Sequence, residues 1–226
     1  MSNNYGPRIV TDGLVLCLDA ADKNSYPGSG TVWYDLAGGG NHANLINGVS
    51  YNSTNTGNMT FDGTNDFVGL QSNNIELGTN FTLSFTFRQT ATRGDWVRLF
   101  GHSGSSRYWG IWMPTAFNYL LYQSYLGGGS TNSANYTFTL NNIYQVTLTS
   151  TATNKTFYIN GNFLSSHSVG GAIDYSTSTG TISIGFAGFH TLHIGQIYNA
   201  MIYNNKTLTA DQVRQNFEAT KGRFGL

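Results

Sequence analysis

Apolar and polar residues alternate along several short segments of this chain, which is the pattern of a β-strand with one buried face. Residues 81–87 show it most clearly, and residues 144–149 and 156–159 repeat it. The polar residues 151–155 separate the last two segments and therefore predict a hairpin. Asn160-Gly161 predicts the tight turn that follows, because asparagine and glycine both tolerate a positive φ.

Strands are also predicted in segments with weaker alternation: residues 14–18, 97–101, 108–112, 181–186 and 195–203. Cys17 lies within the first of these. Its apolar neighbours indicate a small buried side chain rather than a reactive thiol, which would need a nearby base and some exposure.

One helix is predicted near the C-terminus. Thr209 and Gln212 have the spacing of a capping box, and Asp211 suits the positive end of the helix dipole. Val213 and Phe217 are four residues apart and would pack together on a sheet. The helix is expected to end near Lys221-Gly222.

Many short strands, abundant turn residues and one terminal helix predict an all-β fold, a two-sheet antiparallel sandwich with one short C-terminal helix. Gly127-Gly128-Gly129-Ser130 has the composition of a linker. Because the segment is short and strand patterns resume on both sides, we interpret it as a loop inside one domain.

Composition excludes several classes of function. The 226 residues include 11 basic and 11 acidic side chains, so the basic patch of a nucleic-acid-binding protein is not expected. No apolar run approaches the ~20 residues that cross a bilayer, and the first residues lack the apolar stretch of a signal peptide.

Cys17 is the single cysteine, so no intramolecular disulfide can form. This indicates that the protein folds in a reducing cytoplasm.

Several segments resemble, in order, those of concanavalin A-like, laminin-G-like jelly-roll domains. The central one is Phe61-Asp62-Gly63-Thr64-Asn65-Asp66-Phe67-Val68. The others are residues 12–20, 26–30, 33–36, 81–88, 156–161 and 195–204, with Leu208-Thr209 and Asn216-Phe217. The resemblance implies a concanavalin A-like jelly-roll domain over residues 9–226, preceded by an N-terminal arm of residues 1–8.

The C-terminal residues 215–225 are similar to a version of this domain found in tailed bacteriophages, especially marine and cyanobacterial ones. The resemblance implies a non-enzymatic structural component of the virion, exposed as a head decoration or small appendage. Other capsid or tail proteins are its expected partners, with homo-oligomers on the particle. The alternative is a lectin-like module that attaches to a surface polysaccharide of the host.

Catalysis is not expected. Retaining glycosidases place two carboxylates about 5–5.5 Å apart, but the two glutamates, Glu76 and Glu218, have no acidic residue at a suitable spacing. His190 and His193 lie three residues apart in a loop or strand, where such spacing sends side chains to opposite faces. We expect both histidines at the surface or in an interface.

No cofactor is expected, with the possible exception of a structural calcium ion. Asp62 and Asp66 are the favoured ligands, and Asp19 and Asp35 offer further carboxylates in predicted loops. The alternative role of these aspartates is to close turns through hydrogen bonds to the backbone.

Aromatic residues are the candidates for carbohydrate binding: Trp33, Tyr34, Trp96 and Trp112. Along residues 108–112, Tyr108 and Trp112 share one face of the predicted strand, and Trp109 lies on the other. Both faces are therefore partly apolar. One is expected in the core, and the other is available to a ligand or a second subunit.

Overall fold

The computed structural model describes residues 7–71, 75–103, 107–115, 118–126, 130–169, 181–185 and 192–226. Within these ranges the chain forms two antiparallel sheets of eight strands each and one α-helix. The two sheets face one another across a shared apolar core, so the predicted fold class is confirmed.

Sheet A has the strand order β14-β13-β12-β7-β16-β5-β4, and β1 pairs with the C-terminal half of β16. Its strands are β1 (Leu14–Asp19), β4 (Ser50–Asn52), β5 (Asn58–Asp62), β7 (Phe81–Gln89), β12 (Ile143–Ser150), β13 (Asn154–Ile159), β14 (Asn162–Ser168) and β16 (Ile194–Asn204).

Sheet B has the order β11-β10-β9-β8-β15-β6-β3-β2. Its strands are β2 (Val32–Trp33), β3 (Ala43–Ile46), β6 (Phe67–Leu70), β8 (Val97–Ser103), β9 (Arg107–Met113), β10 (Tyr119–Leu126), β11 (Ser130–Asn135) and β15 (Thr181–Ile184). A short 3-10 helix covers Thr54–Thr56.

The alternating pattern of β7 decides which side chains enter the core. Leu83, Phe85 and Phe87 point inward and are at most 1% exposed, and Phe85 packs edge-on against Phe100 of sheet B. The predicted hairpin of β12 and β13 is present. Asn160 and Gly161 form the next turn with positive φ angles of 50° and 73°, as predicted.

The helix α1 (Ala210–Lys221) begins at Thr209 with both hydrogen bonds of the predicted capping box. It packs on the outer face of sheet A, where Val213 joins an apolar cluster with Cys17, Met201 and Tyr203. Burial raises the pKa of the Cys17 thiol to about 12, so this side chain is a protonated core residue.

The start of the described chain is tied to this helix. The backbone N–H of Val10 donates to Asn216 Oδ1 at 2.8 Å, and Gln215 Nε2 donates to the carbonyl of Arg8 at 2.6 Å. Residues 1–6 of the predicted arm and the glycines 127–129 lie outside the described residues. Among the residues described, no helix is long and apolar enough to cross a membrane.

Candidate functional site

The outer face of sheet B carries a compact aromatic cluster, which consists of Trp96, Trp112, Tyr119 and Leu121. It forms because β9 and β10 are apolar on both faces. Trp109 and Leu120 point into the core, whereas Trp112 and Leu121 point outward. The two apolar faces predicted for this strand are thus present over residues 109–112, and the outer one holds this cluster; the Tyr108 side chain lies outside the described part of the structure.

The aromatic cluster has a buried base and a more accessible rim. Trp112 and Leu121 are 5% and 8% exposed. Trp96 and Tyr119 are half-buried, and their ring centroids lie 5.8 Å apart at an interplanar angle of 71°. The rim therefore presents two aromatic rings in a fixed, nearly perpendicular arrangement.

Arg98 lies beside the cluster and is 2% exposed. Its guanidinium carbon is 5.4 Å from the centroid of the Trp112 ring. The same group donates two hydrogen bonds, from Nη2 to Ser183 Oγ at 3.3 Å and from Nη1 to the carbonyl of His102 at 3.1 Å. Burial lowers its pKa to about 10, which leaves the guanidinium charged at neutral pH.

Two glycines allow this arginine to lie flat on the sheet. Gly101 and Gly110 are cross-strand partners in β8 and β9. A Cβ atom at Gly110 would lie 2.7 Å from Arg98 Cδ, and one at Gly101 would lie 2.4 Å from the carbonyl oxygen of Trp109. Larger residues would displace the arginine or the strand, so the glycines shape the surface beside the cluster.

The other half of this outer face is polar. Gln71 Nε2 donates to Asn44 Oδ1 at 2.7 Å, and Asn44 lies opposite Gly69 in the neighbouring strand. The face thus combines aromatic rings at one end with amide groups at the other, a mixture typical of sites that bind polar organic ligands.

The four predicted carbohydrate-binding aromatics do not form one site. Trp96 and Trp112 meet in the aromatic cluster. Trp33 is fully buried in the core on β2, at the opposite edge of sheet B, and presents no ring face to a ligand. Tyr34 follows it and is 42% exposed, with its ring 5.2 Å from His42. Tyr119 and Arg98 were not predicted.

The two favoured calcium ligands lie together. Asp66 is 3% exposed, its Oδ2 accepts the backbone N–H of Asp62 at 3.0 Å, and its buried Oδ1 has no hydrogen-bond partner among the described residues. Burial raises the pKa of Asp66, and the Asp62 carboxylate adds to the increase. Asp62 Oδ1 also accepts the N–H of Thr64, which closes a turn.

The further carboxylates predicted for calcium serve other contacts. Asp35 Oδ1 accepts the N–H groups of Cys17 and Ala37, and Asp19 Oδ2 pairs with Arg223 Nη1 at 2.6 Å. Within the described ranges no three His, Cys, Asp or Glu side chains lie close enough to hold a metal ion. Calcium binding at Asp62 and Asp66 therefore stays a prediction.

Other candidate groups for catalysis are engaged elsewhere. Glu218 pairs with Arg214 at 2.8 Å and with Lys221 at 2.6 Å on the exposed side of α1. Both His190 and His193 were expected at the surface or in an interface. His190 lies outside the described residues, and His193 is fully buried in the core. The prediction for His193 was wrong because β16 begins directly after this residue and pairs deep within sheet A.

Comparisons with known structures agree with this architecture. Domain 4 of AbnA, an extracellular GH43 arabinanase of Geobacillus stearothermophilus in complex with arabinotriose, superposes with a TM-score of 0.73 at 12% identity, covering 91% of this chain and 98% of that one. Botulinum neurotoxin type C, which depends on interaction with two ganglioside molecules to get into cells, gives 0.69 at 19% identity, covering 92% of this chain and 51% of the toxin chain.

Trypanosoma rangeli sialidase in complex with the inhibitor DANA gives a TM-score of 0.69 at 18% identity, covering 99% of this chain. The chain spans about half of the toxin chain and 35% of the sialidase chain, and at these identities the likeness shows the fold alone. A search of curated proteins found no match.

A family model matches residues 61–214, more than half of the chain, and covers β6 to β16 with most of the outer face of sheet B. Two antiparallel sheets, the C-terminal helix and this match lead to the same assignment. The chain belongs to the concanavalin A-like lectin/glucanases superfamily.

Proposed function

We propose that this protein is a non-catalytic glycan-binding domain and that a saccharide binds over the rim of the aromatic cluster. The half-buried pair of Trp96 and Tyr119 carries the proposal, because both rings pack against each other and against the buried base of the cluster. A rigid aromatic surface loses little conformational entropy when a ligand covers it. The apolar face of a sugar ring is a suitable partner for such a surface.

Polar groups on the same face of sheet B would orient the bound saccharide. Gln123 is half-buried and lies between Gly110 of β9 and Thr131 of β11, next to Leu121. Asn135 is exposed opposite Tyr119. Their amides offer both donors and acceptors to sugar hydroxyls, Asn135 beside the rim and Gln123 on the far side of Leu121 from Tyr119. The fold neighbours that are reported with arabinotriose or gangliosides support this class of ligand.

Substitution of Trp96 by alanine is expected to lower glycan affinity at least tenfold, since it removes half of the rim. The protein is first applied to a microbial glycan array, and the best ligand is then titrated by calorimetry. Tyr34→Ala is the matched control, because Tyr34 is an exposed aromatic residue at the opposite edge of sheet B. Equal affinities of wild type and Trp96→Ala for the array ligand would refute the site.

We further propose that the domain is a structural component of a bacteriophage virion, as a head decoration or small appendage that displays this surface. The similarity of residues 215–225 to phage proteins favours this location. Capsid or tail proteins and further copies of this chain are the proposed partners, and the host polysaccharide is the proposed ligand.

If this location is correct, mass spectrometry will find the protein in purified particles of the phage that encodes it. A chain that lacks residues 1–8 is expected to stay folded but to bind particles more weakly than the full chain, because the proposed arm contacts a neighbouring subunit. Absence of the full chain from particles would exclude the virion role, whereas equal binding by both chains would exclude only the role of the arm.

A further inference from the structure

The outer face of sheet A contains a second group of polar residues, which we call the polar layer. Six of its members lie on sheet A, and Arg223 comes from the turn after α1: Thr86, Arg88, Gln145, Gln196, Tyr198, Asn199 and Arg223. Asn199, Thr86 and Gln145 are consecutive cross-strand neighbours in β16, β7 and β12. Gln196 and Arg88 form the next row of the same face.

A β-bulge brings one additional side chain to this face. The register of β16 against β7 shifts between Ile197 and Asn199. Ile197 lies in the core, whereas Tyr198 contacts Phe224 of the turn that follows α1, with ring centroids 5.2 Å apart. Bulges change the direction of a side chain in this way and are frequent beside functional sites.

The C-terminal turn covers the polar layer. Gln145 Nε2 donates to Thr220 Oγ1 at 3.2 Å at the end of α1. Arg223 follows and pairs with Asp19, the cross-strand partner of Asn199. The turn is closed by the hydrogen bond from the N–H of Phe224 to the carbonyl of Lys221 at 2.9 Å. The layer is thus enclosed between a sheet and a short segment of chain.

Every member of the polar layer has at least one buried polar atom without a hydrogen-bond partner among the described residues. The donors are Arg88 Nε, Arg223 Nε and Nη2, and Asn199 Nδ2, and the acceptors are Gln145 Oε1, Gln196 Oε1 and Asn199 Oδ1. The hydroxyl groups of Thr86 and Tyr198 can serve as either. Such a concentration of unsatisfied groups is costly in a folded protein unless another molecule satisfies them.

The charge of the layer is positive. Asp19 pairs with Arg223, and Arg88 forms no ion pair with any of the described residues. Burial raises the pKa of Tyr198, whereas the guanidinium of Arg88, which is near enough to hydrogen-bond weakly to this phenol, lowers it. One guanidinium group therefore remains available for a carboxylate, with which arginine forms paired hydrogen bonds.

The polar layer is partly accessible on one side. Arg88 and Gln196 are half-buried rather than fully enclosed. Ile143, the cross-strand partner of Arg88, lines an open cleft of about 420 Å³ together with Asn160 and Phe224. Phe224 borders both the cleft and the polar layer, because its ring also packs on Tyr198.

From this arrangement we infer that the polar layer is a second binding site, specific for an acidic sugar residue. The carboxylate of a uronic acid pairs with Arg88, and its ring hydroxyls satisfy the amides of Gln196 and Asn199. This site lies on the opposite sheet from the aromatic cluster and does not depend on it. Water alone would satisfy the same atoms without discriminating between an acidic and a neutral sugar, which provides the test.

The experiment titrates the full-length ¹⁵N-labelled protein with sodium D-glucuronate, D-glucose or sodium acetate at equal ionic strength. Glucuronate is expected to shift the Nε–H resonances of Arg88 and Arg223 in a saturable manner. Glucose and acetate are expected to bind at least tenfold more weakly, because glucose lacks the carboxylate and acetate lacks the ring hydroxyls. Equal responses to glucuronate and acetate, or no response to glucuronate, would overturn the proposal.

Substitutions test whether the response to glucuronate arises at the polar layer. Arg88→Gln removes the charge, and Gln196→Glu places a carboxylate beside Arg88, so both are expected to abolish the response to glucuronate. Arg214→Gln is the matched control, because Arg214 is an exposed arginine on α1. Trp96→Ala should also bind glucuronate normally, which separates failure of this site from failure of the aromatic cluster. Retained binding in Arg88→Gln would refute the assignment.

Discussion

Replacement of Lys155 by methionine is expected to stabilise the protein by about 2 kcal/mol at pH 7. Lys155 is 1% exposed, and its amine lies inside the sandwich, 5.4 Å from the Phe81 ring and 5.9 Å from the Tyr122 ring. Its hydrogen bond is donated to Ser150 Oγ at 2.7 Å. No carboxylate of the described residues pairs with it, so the charge is desolvated with little compensation.

The pKa of Lys155 gives the pH dependence of this effect. Burial lowers it to about 8, from an ordinary value of 10.5. The folded state therefore binds this proton less tightly than the unfolded state does. The full destabilisation, about 3 kcal/mol before the cation–π contacts and the hydrogen bond offset part of it, applies below pH 8. It disappears as the pH rises towards 10.5.

Urea unfolding of wild type and Lys155→Met at pH 7, 8 and 9.5 measures the difference in free energy of unfolding. The advantage of the variant should shrink as the pH rises, because methionine keeps the apolar stem of lysine without the charge. Lys23→Met serves as the control, since Lys23 is exposed. An equally or less stable Lys155→Met protein at pH 7 would contradict the argument.

The local sequence predicts a strand well where only one face of the strand is apolar. In β7, β12 and β13 every second residue enters the core, so alternation is visible in the sequence. Strand β10 was missed because Leu120 and Tyr122 enter the core while Tyr119 and Leu121 belong to the aromatic cluster. A strand that is apolar on both faces has no alternation to detect.

The candidate site was predictable only in part. Residue type alone indicated Trp96 and Trp112, but it indicated Trp33 equally, and only the packing of the two sheets shows which ring is enclosed. Arg98 lies between Val97 and Leu99, where a charged residue predicts a solvent-exposed position. The structure instead buries it over Gly101 and Gly110.

The polar layer was not visible in the sequence for a related reason. Thr86 and Gln145 occupy alternate positions in strands, which indicates a face in contact with water. The C-terminal segment that covers them is distant in the sequence, and its Thr220 meets Gln145 only once the chain has folded. The sequence around a strand residue does not indicate that a distant segment of the chain will cover it.

The burial of His193 also depends on residues that are distant in the sequence, and it is expected to make the protein sensitive to acid. His193 is fully buried, with its ring 5.5 Å from that of Phe61 and 6.4 Å from that of Phe87. Gln89 Nε2 donates to the carbonyl of Ala91, so Gln89 Oε1 is left to accept the Nδ1 proton of His193 at 2.9 Å. Nε2 forms no hydrogen bond of ordinary geometry among the described residues, and the backbone of Gln196 lies close enough to oppose part of the effect of burial on the pKa.

Desolvation lowers the pKa of His193 to about 4, from an ordinary value of 6.5. The unfolded state therefore takes up a proton as the pH falls below 6.5, while the folded state resists protonation until about pH 4. The stability that comes from the neutral ring is fully present above pH 6.5. About 2 to 3 kcal/mol of it is expected to be lost between pH 7.5 and 4.5.

The variant His193→Asn should remove this pH dependence. Asparagine can still donate to Gln89 from its side-chain amide, but it cannot titrate, so the variant is less stable at pH 7.5 and loses less stability in acid. Urea unfolding at pH 7.5, 6.5, 5.5 and 4.5 gives the difference between the two proteins, in which the contributions of the carboxylates cancel. His167→Asn, on the edge strand β14, should keep the steeper wild-type dependence. Parallel curves for wild type and His193→Asn would show that the buried imidazole does not control the acid sensitivity of this fold.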